Sequence, residues 1–179
     1  MSESLLGRTV GGLLADVAAR TPAPGGGAVA AITAASAAAL VAMAARFSSG
    51  DVTELASPAD ELRARLAALA DADSAAYAEV LSAYRLPVND PTRHQRISEA
   101  LRAATETPRQ MVKAATEVAR LAGRLTDEGN PNLAGDSRVA ELLARAAAEA
   151  AAALVDINVR VARRHHEARK HQESSEIHD

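Results

Sequence analysis

Apolar positions recur along the chain at intervals of three and four residues, the spacing that places side chains on one face of an α-helix. Breaks rich in Gly, Pro, Ser and Asn divide the sequence into five such stretches. No stretch alternates apolar and polar residues as a half-buried strand would. The sequence therefore predicts an all-α bundle of about five helices, near residues 4–20, from the glycines at 25–27 to 47, 57–84, 92–125 and 136–164.

Prolines, glycines and capping residues set several predicted helix ends. Residues 21–27 break the first helix, because two prolines and three glycines cannot continue it. Ser57 is expected to cap the third helix, with Pro58 at its first position. Pro108 is expected to kink or split the fourth helix, because proline removes a backbone hydrogen bond.

The same spacing predicts which faces are buried. The predicted stripe of the first helix comprises Leu6, Val10, Leu13, Leu14 and Val17. The predicted stripe of the fifth comprises Val139, Leu143, Ala146, Ala150, Leu154, Ile157 and Val161. Residues 1–164 are thus predicted to form one helical domain, and the charged residues 165–179 a flexible tail.

Alanine dominates the apolar composition. The chain has 45 alanines against one Phe, two Tyr and no Trp. Alanine favours helix but buries little area, so a second subunit would add apolar contact. The composition favours a homodimer, with an adequate monomeric bundle as the alternative.

Charge and residue content exclude several function classes. A net charge of -3 argues against a nucleic-acid-binding face, and the absence of cysteine excludes disulfides and cysteine-ligated zinc. The five histidines do not form a ligand set, so no metal site is expected. Residues 21–45 are uncharged and long enough to span a bilayer. Their small side chains favour a central buried helix instead, and with no secretion signal a cytoplasmic location is expected.

Asp73 is the sharpest candidate for chemistry. A helical projection places it in the middle of one apolar stripe of the third helix, with Asp71 on the opposite side. A carboxylate there is costly unless it is paired, hydrogen-bonded or protonated, and burial would raise its pKa toward the range of a general acid or base. The alternative is a structural aspartate that caps a helix or pairs with an arginine. The stripe comprises Leu62, Leu66, Leu69, Ala76, Val80 and Tyr84.

Two other regions carry candidate binding residues. Gly25, Gly26 and Gly27 lead into a helix whose free N–H groups favour an anion, although glycines also allow two helices to cross closely. In the loop at 126–135, Asn130 can be a turn residue, and Asp136 is expected to cap the fifth helix. Asn158 lies at the edge of that helix's buried stripe and needs a polar partner.

Together, these segments resemble the cyclodeaminase/cyclohydrolase family, which includes the C-terminal domain of formiminotransferase-cyclodeaminase and stand-alone methenyltetrahydrofolate cyclohydrolases. The similarity covers about residues 5–162, and the order of the motifs is more specific than any one of them. The matching segments are Asp16–Gly27 before an Ala-rich helix, Asp71–Asp73 with Ala76 and Tyr77, Leu86–Pro87, Gly129–Asn130, Asp136, Val139–Ala140 and Asn158–Val159.

The resemblance implies an all-helical dimer that acts on folates without a metal or redox cofactor. Its members close 5-formiminotetrahydrofolate to 5,10-methenyltetrahydrofolate with loss of ammonia, or interconvert the methenyl and 10-formyl forms. The family's catalytic carboxylate lies in the Asp-Ala-Asp segment, where the helical projection favours Asp73. Substrate contacts are predicted at Gly25, Gly26, Gly27, Asp71, Arg85, Asn130, Asp136 and Asn158.

Three departures from the family pattern leave alternatives open. Val88 stands where lysine usually follows Leu-Pro, Gly135 replaces a serine, and Ala162 replaces a second asparagine. Loss of the cation would weaken binding of the folate's acidic tail, for which Arg85 is a candidate substitute. A folate enzyme of either activity is the leading interpretation. The same fold with another substrate, or a non-catalytic helical dimer, are the alternatives.

Overall fold

A computed structural model describes residues 4–176, with side chains as far as residue 168, and shows an all-α architecture. Five helices follow one another along the chain, and within the described residues there is no strand. Short 3-10 helices lie at Leu5–Gly7, Gly50–Leu55 and Pro131–Leu133. The predicted fold class is confirmed. The helices are α1 (Val10–Ala18), α2 (Gly26–Arg46), α3 (Ala56–Tyr84), α4 (Arg93–Glu128) and α5 (Ala134–Glu176).

The α2 helix lies at the centre and packs against α3, α4 and α5. Alanines form most of its buried surface, and they allow the neighbouring helices to approach closely. By length and composition α2 could cross a membrane, yet 61% of its most apolar 18-residue stretch is buried inside the bundle. Packing in the centre of the bundle thus explains the apolar composition of α2, as the sequence predicted.

Bulky core residues come from the helices around α2. Leu66 lies on α3, and Met111, Val118, Leu121 and Leu125 on α4. Each is almost completely buried, and burial of such a side chain contributes about 1.5–3 kcal/mol. A second, smaller apolar cluster of Ala83, Ile97 and Leu101 lies between the C-terminal end of α3 and the N-terminal part of α4.

Two predicted helix starts are wrong. The first helix is divided, because Thr9 adopts an extended conformation and its hydroxyl accepts a hydrogen bond from Gly12 N–H as the cap of α1. The third helix starts at Ala56, one residue before the predicted cap Ser57, because the preceding 3-10 helix leads into it. Pro58 still lies in the first turn, where its missing N–H costs nothing.

α4 and α5 are longer than predicted. α4 is one uninterrupted helix through Pro108 and continues to Glu128, so the proline does not split it. α5 begins at Ala134, which places Asp136 inside the first turn and not at the cap. It continues to Glu176, through most of the predicted tail, and residues 177–179 lie outside the described part of the chain.

The predicted buried faces of α5 and of the first helix are also wrong. The side of α5 that packs on the bundle carries Ser137, Ala140, Ala144, Ala147 and Ala151, because close helix approach selects small side chains. In the N-terminal segment Leu5 is buried while Leu6, Val10 and Leu14 are more than half exposed. On α5 a row of apolar residues faces outward, and we call it the α5 outer stripe: Val139, Leu142, Ala146, Ala150, Ala153 and Ile157.

Candidate active site

A cavity of about 410 Å³ opens between the N-terminal end of α2 and one side of α3, α4 and α5. It brings together residues that are far apart in the sequence. Five predicted site residues line it: Gly25, Gly26, Gly27, Asp73 and Asn158. The remaining lining is largely apolar, from Pro22, Ala23, Ser74, Ala76, Tyr77, Val80, Leu101, Ala104, Leu154, Ile157 and Val161.

The Asp73 carboxyl group lies against the start of α2. Burial raises its pKa above the ordinary value, and a hydrogen bond donated by the backbone N–H of Ala28 offsets part of that rise. Because α2 directs its positive end toward this group, the ionised form has electrostatic support although water is partly excluded. A carboxyl group in such surroundings can exchange a proton with a bound ligand.

Gly27 makes the close approach of α3 to α2 possible. A Cβ on Gly27 would overlap the carboxyl group of Asp73, whereas a Cβ on Gly25 or Gly26 would meet no atom within 4 Å. The glycines therefore have different roles. Gly27 accommodates Asp73, while Gly25 and Gly26 border the open part of the cavity.

The N-terminal end of α2 still offers donors to a ligand. The N–H groups of Gly26 and Gly27 belong to the first turn, where a helix provides no acceptor. The Ala28 N–H is already used by Asp73. An anionic or carbonyl group in the cavity would thus meet two remaining backbone donors beside the Asp73 carboxyl group.

Tyr77 provides the aromatic surface of the cavity. It follows Asp73 by one helical turn, so both side chains lie on the same face of α3. The ring is about half exposed and is free to cover a flat ligand. Tyr77 is not among the predicted site residues, although its four-residue spacing from Asp73 places it on the same face of α3.

Asn158 lies on the opposite wall. Its Nδ2 donates a 2.8 Å hydrogen bond to the backbone carbonyl of Ala104 on α4. This is the polar partner that the sequence indicated it would need. The apolar residues Leu101, Leu154 and Val161 line the same cavity.

Asp71 lies away from the cavity. Its carboxylate accepts hydrogen bonds from Ser4 Oγ at 2.7 Å and from Leu5 N–H at 2.8 Å, and so attaches the N-terminal segment to α3. The helical projection that separated it from Asp73 is consistent with this geometry. The structure gives Asp71 a structural role and no contact with the cavity.

Three further predicted contact residues also lie outside the cavity lining. Arg85 is the exposed C-terminal cap of α3. Asn130 connects two helix ends, since its Nδ2 donates to Phe47 C=O at 2.8 Å and its Oδ1 accepts from Asn132 N–H at 3.0 Å. Asp136 lies in the first turn of α5, where its charge suits the positive end of the helix.

A larger groove of about 780 Å³ lies elsewhere between α4 and α5, but its charges are mostly paired. The buried Glu141 accepts from Arg138 at 2.7 Å and from Arg145 at 2.6 Å. Among the described residues no group of three or more His, Asp or Glu side chains could hold a metal ion. The Asp73 cavity is therefore the better candidate site.

Comparison with known proteins identifies the family. A family model described as formiminotransferase-cyclodeaminase matches residues 9–176. The chain belongs to this family. It is 33% identical over 165 residues to a methenyltetrahydrofolate cyclohydrolase from Methylorubrum extorquens, covering 85% of this chain and 79% of that enzyme.

Two further relatives extend the comparison. The mouse formimidoyltransferase-cyclodeaminase is 33% identical over 151 residues, covering 77% of this chain but only 28% of the mouse protein. The crystal structure of formiminotetrahydrofolate cyclodeaminase from Thermotoga maritima superposes with a TM-score of 0.78 at 28% identity, covering 94% of this chain and 90% of that one. The family fold therefore extends over nearly the whole chain.

Proposed function

We propose that this protein is a folate one-carbon enzyme that binds a tetrahydrofolate derivative in the Asp73 cavity. Family membership supports the substrate class, since relatives are named for cyclohydrolase and cyclodeaminase activities. The observation that carries the proposal is the partly buried Asp73 carboxyl group, which has a raised pKa at the end of an otherwise largely apolar cavity. Both reactions require proton transfer to or from groups attached to a carbon that is bonded to two nitrogens.

In the cyclodeaminase reaction Asp73 acts first as base and then as acid. The anilino nitrogen N10 attacks the carbon of the protonated formimino group of 5-formiminotetrahydrofolate, and the C=N electron pair passes to the formimino nitrogen, which becomes a neutral amino group. Asp73 accepts the N10 proton. Asp73 then donates a proton to the amino group of the tetrahedral intermediate. The C–N bond breaks, ammonia leaves, and the methenyl bridge between N5 and N10 remains.

In the cyclohydrolase reaction the same carboxylate activates water. Asp73 accepts a proton as the water oxygen attacks the methenyl carbon, and this proton is later released to solvent. The hydroxyl proton of the intermediate passes to N5 as the C–N5 bond breaks, which yields 10-formyltetrahydrofolate. A raised pKa makes the Asp73 carboxylate a stronger base than an ordinary aspartate, which suits the proton transfers of both reactions.

The experiment compares Asp73→Asn with Asp71→Asn in both reactions. The near-ultraviolet absorbance of methenyltetrahydrofolate follows its hydrolysis and its formation, and ammonia release confirms deamination. We expect Asp73→Asn to lower kcat about 10²–10⁴-fold, because the amide cannot accept a proton. Asp71→Asn should retain most activity, since the Asp71 carboxylate hydrogen-bonds Ser4 and Leu5 and is not part of the cavity lining. Equal losses in the two variants would contradict the assignment, and wild-type protein inactive on both folates would contradict the function.

The alternative substrate class receives no support from the residues that motivated it. Val88 is 82% exposed in the loop after α3. Gly135 lies at the exposed start of α5, and Ala162 packs against the smaller apolar cluster. None of the three lines the cavity, so no specific observation favours a different substrate.

We also propose that the protein is a homodimer whose interface includes the α5 outer stripe. Val139, Leu142 and Ile157 are each about half exposed in the single chain, and the stripe repeats at three- and four-residue intervals as a helix-packing seam does. Ile157 also lines the cavity, so a partner seated on the stripe would lie beside the site. The cytoplasmic location and the absence of a metal or redox cofactor stay predictions from the sequence.

A further inference from the structure

Pro108 removes the helical partner of a carbonyl group in the cavity wall. In an α-helix the carbonyl of residue 104 accepts from the N–H of residue 108, but proline has no N–H. Pro108 is fully buried, and α4 continues through it without a break. The Ala104 carbonyl therefore needs a donor from outside α4.

Asn158 supplies that donor from α5. Its Nδ2 donates to Ala104 C=O at 2.8 Å, and both residues line the cavity. A carbonyl can only accept, so this contact determines which end of the Asn158 amide faces α4. One N–H of Nδ2 is committed to Ala104, so Oδ1 is turned away from that carbonyl, and among the described residues no hydrogen bond is donated to it. Oδ1 is therefore available to accept a hydrogen bond from a ligand.

We propose that Asn158, oriented through Ala104 by Pro108, is a specificity residue that accepts a hydrogen bond from a ring N–H of the reduced pterin. This inference rests on the proposed folate substrate. Asn158 is the one polar side chain that α4 and α5 contribute to the cavity lining in the described part of the chain; their other lining residues are Leu101, Ala104, Leu154, Ile157 and Val161.

The surrounding apolar residues give this single acceptor its selectivity. Leu101 is buried, and Leu154, Val161 and Asn158 are partly buried, so a ligand bound here would displace the water beside Oδ1. A ligand group that faces Oδ1 without a donor would then leave the amide oxygen unpaired. Sites that hydrogen-bond a substrate N–H reject analogues without it for this reason. Asp73 on the opposite wall is then left to the reacting carbon.

A double-mutant cycle separates this role from a structural one. The variants are Pro108→Ala, Asn158→Ala and the two combined. The probe is 5-formyltetrahydrofolate, a stable folate with the same reduced pterin, and its Kd is measured by calorimetry. Thermal unfolding of each variant reports stability. Pro108→Ala restores an N–H to position 108, so the Ala104 carbonyl no longer depends on Asn158.

We expect Asn158→Ala to lower the Tm in the Pro108 background and to have little effect on it when position 108 carries an N–H. The Kd should respond differently. Asn158→Ala should weaken probe binding about tenfold in both backgrounds, because the acceptor is lost whether or not the carbonyl is satisfied. The double variant is the decisive one, since it keeps the backbone hydrogen bond and lacks only the Asn158 amide group.

A double variant that binds the probe as tightly as Pro108→Ala would overturn the specificity role. Equal Tm losses from Asn158→Ala in both backgrounds would overturn the link through Pro108. Failure of the wild-type protein to bind 5-formyltetrahydrofolate would instead contradict the proposed function, and this inference with it.

Discussion

Substituting Gly27 by alanine is expected to displace the Asp73 carboxyl group while leaving its chemistry intact. A Cβ at this position would lie within 2.5 Å of Asp73 Oδ2 and closer still to two other carboxyl atoms. Ordinary van der Waals contact begins near 3.4 Å, so the carboxyl group must move by about 1 Å. This shift removes Asp73 from the Ala28 N–H that now supports its ionised form.

Two effects on stability oppose each other in this variant. Replacing glycine by alanine in a helix raises the free energy of unfolding by about 0.4–1 kcal/mol, because the unfolded chain with alanine has less conformational entropy to lose on folding. Loss of a hydrogen bond to a charged group costs about 1.5–3 kcal/mol. Gly27→Ala should thus be folded and destabilised by about 1–2 kcal/mol. Its kcat should fall about 10²-fold, the typical consequence of misplacing a catalytic group by 1 Å.

Gly26→Ala provides the matched control. Its Cβ would meet no atom within 4 Å, and the Ala28 hydrogen bond to Asp73 stays intact. We therefore expect no loss of stability and an unchanged dependence of kcat on pH, whatever the effect on KM. For both variants, urea unfolding measures the stability and the pH–rate profile measures the dependence of kcat on pH. A folded Gly27→Ala protein with the kcat of the wild type would refute the view that the Asp73 carboxyl group must lie beside the start of α2.

Two further predictions concern pH and assembly. The folded-state pKa of Asp73 is raised, so the folded protein binds a proton more tightly than the unfolded chain, and stability falls as pH rises from about 3.9 through the raised value. The free energy of unfolding, measured with urea from pH 4 to 7, should show this decrease in the wild type and not in Asp73→Asn. Asp73→Asn should be at least as stable as the wild type at pH 7. Identical pH profiles of the two proteins would contradict the prediction. For the dimer, Ala150→Glu on the α5 outer stripe should yield monomers in light scattering, whereas Ala152→Glu, exposed about 200° around the same helix, should not. Wild-type monomers at micromolar concentration would refute the interface.

The sequence was sufficient to predict the elements and the position of Asp73 on its helix. Helical periodicity and breaks rich in Gly and Pro are local properties, so the five helices and the central place of α2 follow from them. The projection of α3 is local as well, which is why it separated Asp73 from Asp71. The ends of α3, α4 and α5 were less predictable, because neighbouring turns and packing extend a helix beyond its sequence signals.

Tertiary structure alone decided which face of each helix is buried and which residues meet. In a chain with 45 alanines the buried side of α5 is the one with the smallest residues, because close helix approach outweighs the area of a valine or leucine. The roles of Gly27 and Asn158 depend on atoms of other helices, the Asp73 carboxyl group and the Ala104 carbonyl. Such contacts join residues far apart in the chain, and no local pattern encodes the distance between them.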